Sequence, residues 1–376
     1  MADLFQYVFW RGDLSFSAVP PCDVDALIFA RLSYIPFDGV VAPGFGGGVP
    51  LGEAARAVLA GDALEKRQGL VREDRRLLEA LCEAPRYADL ELCGFEQVFD
   101  AERQEQFAAL TVRLPMGPCV AFRGTDGTLV GWKEDFNMAF SEAVPAQLRA
   151  VEYLQRAAML PGGIRLCGHS KGGNLAVYAA AFCGEKLQPR IVSVRNFDGP
   201  GFQESVTRQE GFRAVIDRTR TYLPKASVVG MLLEHEEEFT VVDSQGSGLS
   251  QHNTYLWEIR RGGFCELHKL NGSSQLLDRA LKDWLAGMTP EQREKVINGL
   301  YAVLESTEAS TIRDVRDHGK MAALRAILDL DEETRRLTMS AIRIFYRSLK
   351  NALPDSPLRE MAERLSFLRG EKKQGG

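Results

Sequence analysis

The sequence contains few histidines and no long apolar run. Among 376 residues there are only five histidines. No apolar stretch approaches the roughly 18 residues that a membrane-spanning helix needs. The N-terminus carries an acidic residue early and lacks the basic segment followed by an apolar one that is typical of a signal peptide. We therefore expect neither a signal peptide nor a membrane span.

The seven cysteines show no C-x-x-C spacing. Several of them lie in apolar runs, where a reduced thiol behaves as a small hydrophobic group. This pattern favours a cytoplasmic protein and argues against a zinc site, so we predict no metal and no cofactor. The formal net charge of -5 is small for this length, and nothing indicates a nucleic-acid partner.

Hydrophobic residues make up 45% of the chain and charged residues 26%, which is ordinary for a globular protein. Beyond about residue 100, strand-like segments alternate with helical ones. This alternation predicts an α/β fold with a mainly parallel central sheet, whose functional residues lie at the carboxyl ends of strands. The predicted strands are residues 106–114, 119–123, 164–167, 190–197, 219–223, 239–242 and 255–259.

The chain divides into three predicted segments. Residues 1–100 form a helical N-terminal segment or cap packed on the body, and residues 101–275 form the α/β core. Residues 276–368 form a C-terminal helical appendage that packs on the body or joins two copies into a homo-oligomer. Within the appendage, T-P-E-Q at residues 289–292 is typical of a capping box with proline at the first helical position.

A nucleophile elbow, G-x-S-x-G, occupies residues 168–172. An apolar strand precedes it and a helix rich in alanine follows it, which is the context that this motif requires. A Cβ at Gly168 or Gly172 would collide with the neighbouring strand or helix, whereas the turn projects the hydroxyl of Ser170 outward. Ser170 is therefore the predicted nucleophile.

A serine hydroxyl needs a positioned base. His169 lies in the elbow and points away from the nucleophile, while His268 and His318 lie in or near the predicted appendage. His252 fits best, because it lies in a polar loop after the last core strands, where α/β-hydrolases supply their histidine. His235, in an acidic stretch, remains an alternative base.

The predicted acid is Asp198, in N-F-D-G-P-G at residues 196–201. A carboxylate just beyond a parallel strand lies beside the nucleophile at the functional edge of the sheet. An aspartate that merely begins a Gly-Pro turn would look the same. Asp243 is the alternative acid, although its closeness in sequence to His252 favours a role within the loop.

Two donors are expected to form the oxyanion hole. One is the backbone N–H of Lys171, which follows the nucleophile. The other is Thr125, in R-G-T-D directly after a predicted strand, where its backbone N–H and hydroxyl reach the same edge. The alternative is that this segment is only a polar loop cap.

These motifs together resemble the class 3 (fungal-type) lipases of the α/β-hydrolase superfamily. The resemblance rests on V-A-F-R-G-T-D at residues 120–126 with Trp132 and Asp135, on C-G-H-S-K-G-G-N-L-A-V-Y at residues 167–178, and on a later histidine. The sequence more closely resembles the bacterial Mbeg1-like proteins, at residues 196–202, 224–233 and 251–253. The similarity covers roughly residues 5–270. It implies an α/β-hydrolase fold with Ser170 as nucleophile, His252 as base, and Thr125 and the Lys171 N–H as oxyanion donors.

The sequence departs from the class 3 lipase pattern at two positions. Those lipases take their acid from a D-x-V-P segment, and the matching segment here, S-V-V-G at residues 227–230, begins with serine. This departure strengthens the case for Asp198. Lys171 replaces a residue that is usually apolar, and a cation at the rim would favour a substrate that bears a carboxylate or phosphate. The alternative is a solvated lysine with no role in binding.

The expected function is that of a serine hydrolase acting on a small-molecule carboxylic ester through an acyl-enzyme on Ser170. A thioesterase, an N-acyl amide hydrolase or an acyltransferase would use the same residues. A non-catalytic scaffold with a relic elbow is the alternative from another class, with the helical tail as its interaction surface.

Overall fold

The computed structural model describes the following residues of the chain: 2–66, 71–126, 129–138, 141, 143–246, 248–270, 287–289, 291–292, 295–296, 298–299 and 327–340. Most of the predicted C-terminal appendage, with His318, lies outside the described residues. Both bonds of the capping box predicted at residues 289–292 are present. The Gln292 N–H donates to Thr289 Oγ1 at 3.2 Å, and the Thr289 N–H donates to Gln292 Oε1 at 3.1 Å.

A nine-stranded sheet forms the centre of the described chain, with the order β1-β2-β3-β4-β5-β6-β7-β8-β11. Strands β4, β5, β6, β7 and β8 run parallel to one another. The pairs at the two sides of the sheet, β1 with β2, β2 with β3, β3 with β4, and β8 with β11, are antiparallel. A separate hairpin pairs β9 with β10. The strands are β1 (Val49–Pro50), β2 (Glu91–Asp100), β3 (Glu105–Leu114), β4 (Gly117–Phe122), β5 (Ile164–His169), β6 (Ile191–Phe197), β7 (Thr219–Pro224), β8 (Phe239–Val242), β9 (Ile259–Arg260), β10 (Gly263–Phe264) and β11 (Glu266–Leu267).

Helices cover both faces of this sheet. Among the described residues up to 270, the α-helices are α1 (Leu4–Arg11), α2 (Asp23–Leu32), α3 (Leu51–Ala60), α4 (Val71–Glu83), α5 (Pro85–Ala88), α6 (Leu129–Asn137), α7 (Pro145–Ala157), α8 (Lys171–Phe182), α9 (Glu204–Thr207) and α10 (Glu210–Arg213). Short 3-10 helices occur at Gln188–Arg190, Ile216–Arg218, Val229–Met231, Gly248–His252 and Thr254–Leu256. None of the helices in the described part of the chain is both long and apolar enough to cross a membrane.

The period-2 pattern of the strands distributes their side chains between two cores. In β4, Cys119 and Ala121 belong to the buried cluster that includes side chains of α1 to α4, whereas Val120 and Phe122 belong to the cluster on the other face that includes side chains of α7, α8 and α10. Successive side chains of a strand point to opposite faces, so a strand buried on both faces has a continuous apolar sequence. The N-terminal helices are thus one of the two layers that cover the sheet.

The sheet extends beyond the predicted start of the core at residue 101. Strands β1 and β2 pair with each other, and β2 pairs with β3 over its length with one irregularity. The predicted N-terminal segment is therefore not purely helical, because its last ten residues form a strand of the central sheet. The sequence does not show this strand clearly, because β2 is buried mainly in its first half and its second half alternates between partly buried and exposed residues.

One predicted strand is wrong. Residues 255–259 are apolar apart from Glu258, but the chain forms a 3-10 helix at Thr254–Leu256 before the short β9. The Asn253 side chain accepts from the Tyr255 N–H at 3.0 Å and starts this turn. Tyr255 is buried against the N-terminal helix, where Phe5 stacks on it with ring centroids 5.3 Å apart.

Candidate active site

Ser170 lies between β5 and α8 in a strained backbone conformation. Its φ is +58° and its ψ is -135°, a combination that side-chain-bearing residues rarely adopt and that clusters at functional sites. Its N–H donates to the Phe197 carbonyl at 2.9 Å, which anchors the elbow to the end of β6. The strand, sharp turn and helix expected from the motif are all present.

The glycines on either side of Ser170 are required by close backbone approaches. A Cβ at Gly168 would lie 2.0 Å from the Gly172 carbonyl oxygen, and a Cβ at Gly172 would lie 2.1 Å from the Phe122 carbonyl oxygen. Both distances are far inside van der Waals contact, so a side chain at either position would displace α8 or the end of β4. The predicted steric reason for these glycines is confirmed.

Asp198 and His252 meet at the carboxyl edge of the sheet. Asp198 directly follows β6 and is fully buried, and its Oδ2 accepts from His252 Nδ1 at 2.6 Å. His252 ends the 3-10 helix Gly248–His252, and about a quarter of its side chain is exposed. Because Nδ1 donates its hydrogen to the carboxylate, Nε2 of the neutral imidazole holds the lone pair.

The other oxygen of Asp198 has two donors from the segment after β7. Asp198 Oδ1 accepts from Ser227 Oγ at 2.5 Å and from the Gly230 N–H at 3.2 Å. Ser227 is the residue that replaces the aspartate expected from the class 3 lipase pattern. In those lipases the position of Ser227 would carry the acid itself. Here the Ser227 hydroxyl instead binds the carboxylate of Asp198, which follows the preceding strand, β6.

A buried hydrogen-bond network of His169 and Tyr34 holds the loop that carries His252. The His252 carbonyl can only accept, so His169 donates to it from Nε2 at 2.9 Å. Burial lowers the pKa of His169 well below its usual value, so the ring is neutral and Nδ1 accepts from the Tyr34 hydroxyl at 3.0 Å. Burial likewise raises the pKa of Tyr34 to about 12, which keeps that hydroxyl protonated.

Tyr34 also reaches the loop after β4. Its hydroxyl accepts from the Gly124 N–H at 3.1 Å, one residue before Thr125. The same loop lies against the elbow, because a Cβ added at Gly124 would lie 2.9 Å from the Ser170 Cβ. One tyrosine from the N-terminal layer therefore ties together the loop after β4, the elbow and the histidine loop.

A protein family and a solved structure are similar to this chain. The Mbeg1-like family model matches residues 81–302, which is more than half of the chain. The chain belongs to the Mbeg1-like family. Among solved structures, the crystal structure of M37 lipase is similar at 16% identity, covering 55% of this chain and 68% of that chain with a TM-score of 0.35. No protein with a curated description matches.

The predicted α/β-hydrolase fold is confirmed for this member of the Mbeg1-like family. Its five central parallel strands carry the elbow at the end of β5, and helices lie on both faces. The matched region contains Ser170, Asp198, His252 and Ser227, whereas Tyr34 lies before it. The sequence offered no signal for Tyr34, because a tyrosine just after a buried helix is an ordinary core residue.

Thr125 lies in the loop that follows β4, and its hydroxyl has a partner. Thr125 Oγ1 donates to Asp135 Oδ2 at 2.5 Å. This bond fixes the side-chain rotamer of Thr125 and occupies its hydroxyl hydrogen. The backbone N–H of Thr125 is therefore the candidate oxyanion donor from this residue. Asp135 belongs to the predicted family motif, but the sequence did not indicate that its carboxylate would hold Thr125.

The predicted position of the Lys171 side chain at the rim was wrong. The side chain is 1% exposed, and its ammonium group donates to Glu134 Oε2 at 2.7 Å and to the Gln106 carbonyl at 2.8 Å. Glu134 is itself completely buried, so the two charges form an ion pair inside the protein. Lys171 therefore offers no cation to a substrate. Its N–H belongs to the first turn of α8, whose N–H groups have no acceptor within the helix.

The alternative acid and base have other partners. Asp243 Oδ1 accepts from Lys225 Nζ at 2.6 Å and from the Ser244 N–H at 2.9 Å. His235 contacts Glu237 Oε1 through Nδ1 and the Gly230 carbonyl through Nε2. Both of these nitrogens therefore face acceptors, so His235 has no free lone pair for a serine hydroxyl. Among the described residues, no three His, Cys, Asp or Glu side chains are grouped to hold a metal ion.

Asp135→Asn is expected to change how stability depends on pH. Burial raises the pKa of Asp135 to about 6, although Lys171 and Thr125 act to lower it. Because this value exceeds the unfolded value of about 4, the stability from this carboxyl is full below about pH 4 and lost as the pH rises through about 6. Between pH 4 and pH 7, the free energy of unfolding of the wild type should fall by about 2 to 3 kcal/mol more than that of the variant.

The free energy of unfolding, measured by urea denaturation at each pH, checks this expectation. Asp217→Asn is the matched control, since Asp217 is exposed. Parallel stability curves for the wild type and Asp135→Asn would contradict the raised pKa of this carboxyl.

Proposed function

We propose that this chain is a serine hydrolase that cleaves small-molecule carboxylic esters through an acyl-enzyme on Ser170. The observation that carries the proposal is the 2.6 Å bond between His252 Nδ1 and Asp198 Oδ2, at the sheet edge where the strained elbow presents Ser170. A buried carboxylate on Nδ1 keeps the histidine in the tautomer whose Nε2 accepts a proton.

In the proposed reaction, His252 Nε2 takes the proton of Ser170 Oγ as this oxygen attacks the acyl carbonyl. The backbone N–H groups of Lys171 and Thr125 donate to the developing oxyanion. His252 then protonates the leaving alcohol, and a water activated by the same nitrogen releases the acid. The buried Lys171–Glu134 ion pair fixes the first turn of α8 and with it the direction of that N–H.

The alternatives within the enzyme class are a thioesterase and an N-acyl amide hydrolase, because the same three side chains perform both reactions. No charged side chain among the described residues at the elbow favours an anionic substrate, since Lys171 is buried. A non-catalytic scaffold is the alternative outside the enzyme class, and labelling by a serine-directed probe separates it from the hydrolases.

A fluorophosphonate probe should label the folded wild-type protein at a single serine. Peptide mass spectrometry is expected to locate the added mass on the peptide that contains Ser170, and protein denatured before addition should remain unlabelled. Folded protein that takes up no probe would support the scaffold. A series of p-nitrophenyl esters of increasing acyl length, beside thioester and anilide analogues, then ranks the three hydrolase classes by kcat/KM.

A further inference from the structure

A second histidine, His235, contacts a buried carboxylate and the backbone of the segment that holds the acid Asp198. His235 Nδ1 lies 2.8 Å from Glu237 Oε1, and its Nε2 lies 2.6 Å from the Gly230 carbonyl oxygen. The side chains of His235 and Glu237 are 8% and 1% exposed. Thr221 Oγ1 donates to the same carboxylate oxygen at 2.5 Å, which fixes Glu237 to β7.

The contacts of His235 hold both of its ring nitrogens. The Gly230 carbonyl can only accept, so Nε2 carries a hydrogen and donates to it. Nδ1 faces Glu237 Oε1, which Thr221 also holds. Although burial acts to raise the pKa of Glu237, its side-chain hydrogen bonds to His235 and Thr221 act against burial, and the pKa is lowered. His235 therefore connects Glu237 to the Gly230 carbonyl.

Gly230 connects this pair to the acid. Its carbonyl accepts from His235, and its N–H donates to Asp198 Oδ1 at 3.2 Å. The residue is pressed against the acid, since an added Cβ would lie 2.4 Å from Asp198 Oδ1 and 2.3 Å from Leu223 Cδ2. A displacement of Gly230 therefore changes the donor that orients the carboxylate.

We propose that His235, held in place by Glu237, is a positioning residue for the acid Asp198. By holding the Gly230 carbonyl, His235 and Glu237 keep the Gly230 N–H and the neighbouring Ser227 hydroxyl on Oδ1, so that Oδ2 is directed at His252 Nδ1. This inference rests on the proposed function, because it describes the support of the same Ser170, His252 and Asp198.

His235→Gln removes the imidazole whose two nitrogens contact Glu237 and the Gly230 carbonyl, and Glu237→Gln keeps the shape of the carboxyl group but replaces one oxygen by an amide nitrogen. For p-nitrophenyl acetate we expect His235→Gln to lower kcat about 10- to 100-fold with little change in KM, because the acid and not the substrate is misplaced. Glu237→Gln should lower kcat in the same direction by less. The matched controls are His268→Gln and Glu236→Gln, since both of these side chains are exposed.

A double-mutant cycle separates positioning from a general structural role. If His235 acts through Asp198, His235→Gln should slow fluorophosphonate labelling in the wild-type background but change it by less than about twofold when Asp198→Asn is already present. A merely structural histidine would slow labelling equally in both backgrounds, which would overturn the inference. If His235→Gln fails to fold, the same cycle with the isosteric Glu237→Gln distinguishes the two roles.

The wild type distinguishes failure of this inference from failure of the proposed function. Wild-type protein that is neither labelled nor active removes the proposed function, and the positioning role with it. Wild-type protein that is labelled, beside variants at His235 and Glu237 that react at the wild-type rate, overturns only the positioning role.

Discussion

Ser170→Ala is expected to lower kcat for ester hydrolysis by about 10⁶-fold and to abolish labelling by a fluorophosphonate. The reason is that no other hydroxyl is held at this turn, so the acyl group has no nucleophile to receive it. Alanine keeps the Cβ, and the backbone conformation at φ +58° is as strained for alanine as for serine. The variant should therefore fold with wild-type stability.

The measurement is the initial rate of p-nitrophenyl ester hydrolysis, with circular dichroism and thermal denaturation to verify the fold. Ser205→Ala is the matched control, because Ser205 is an exposed serine on the same chain. A Ser170→Ala protein that is folded and hydrolyses the ester at more than a few per cent of the wild-type rate would remove Ser170 from the reaction.

Asp198→Asn is expected to lower kcat by about 10⁴-fold, and the donors of Asp198 give the reason. Oδ1 faces Ser227 Oγ and the Gly230 N–H, so the asparagine oxygen should occupy that position. Its NH₂ group then faces His252 Nδ1, which can only accept from it. The hydrogen of the imidazole moves to Nε2, and the tautomer can no longer take a proton from Ser170.

Asp243→Asn is the comparison for the acid. Asp243 is bound to Lys225 and to the Ser244 N–H, so its replacement should change kcat by less than about threefold while loosening the loop slightly. Rates are compared on one ester at saturating concentration. Equal losses in the two variants would contradict the assignment of the acid to Asp198.

Local sequence patterns predicted the parts of the site that depend on short-range geometry. The elbow followed from glycines whose missing Cβ atoms allow the contacts of Gly168 and Gly172. Asp198 followed from its place directly after a parallel strand. His252 was selected by its place in chain order among only five histidines. In each case the backbone path alone brings the residue to the carboxyl edge of the sheet.

Contacts between segments far apart in sequence were not predictable in the same way. Lys171 has the sequence environment of a rim residue, and only the fold places Glu134 beneath it. Tyr255 belongs to an apolar stretch that suggests a strand, and the sequence does not show that the N-terminal helix provides the surface that buries it. The support of His169 by Tyr34 joins residues 135 positions apart, a separation over which a single sequence carries no pairing signal.

The tie formed by Tyr34 has a consequence for any excised fragment of this protein. The family match begins at residue 81, after α1, α2, α3 and most of α4, so it omits most of one of the two helical layers. Residues 81–302 expressed alone would leave one apolar face of the sheet bare and would leave the ring of His169 and the loop after β4 without their common partner. The α/β core of this chain is covered on both faces only with the helices that precede the family match.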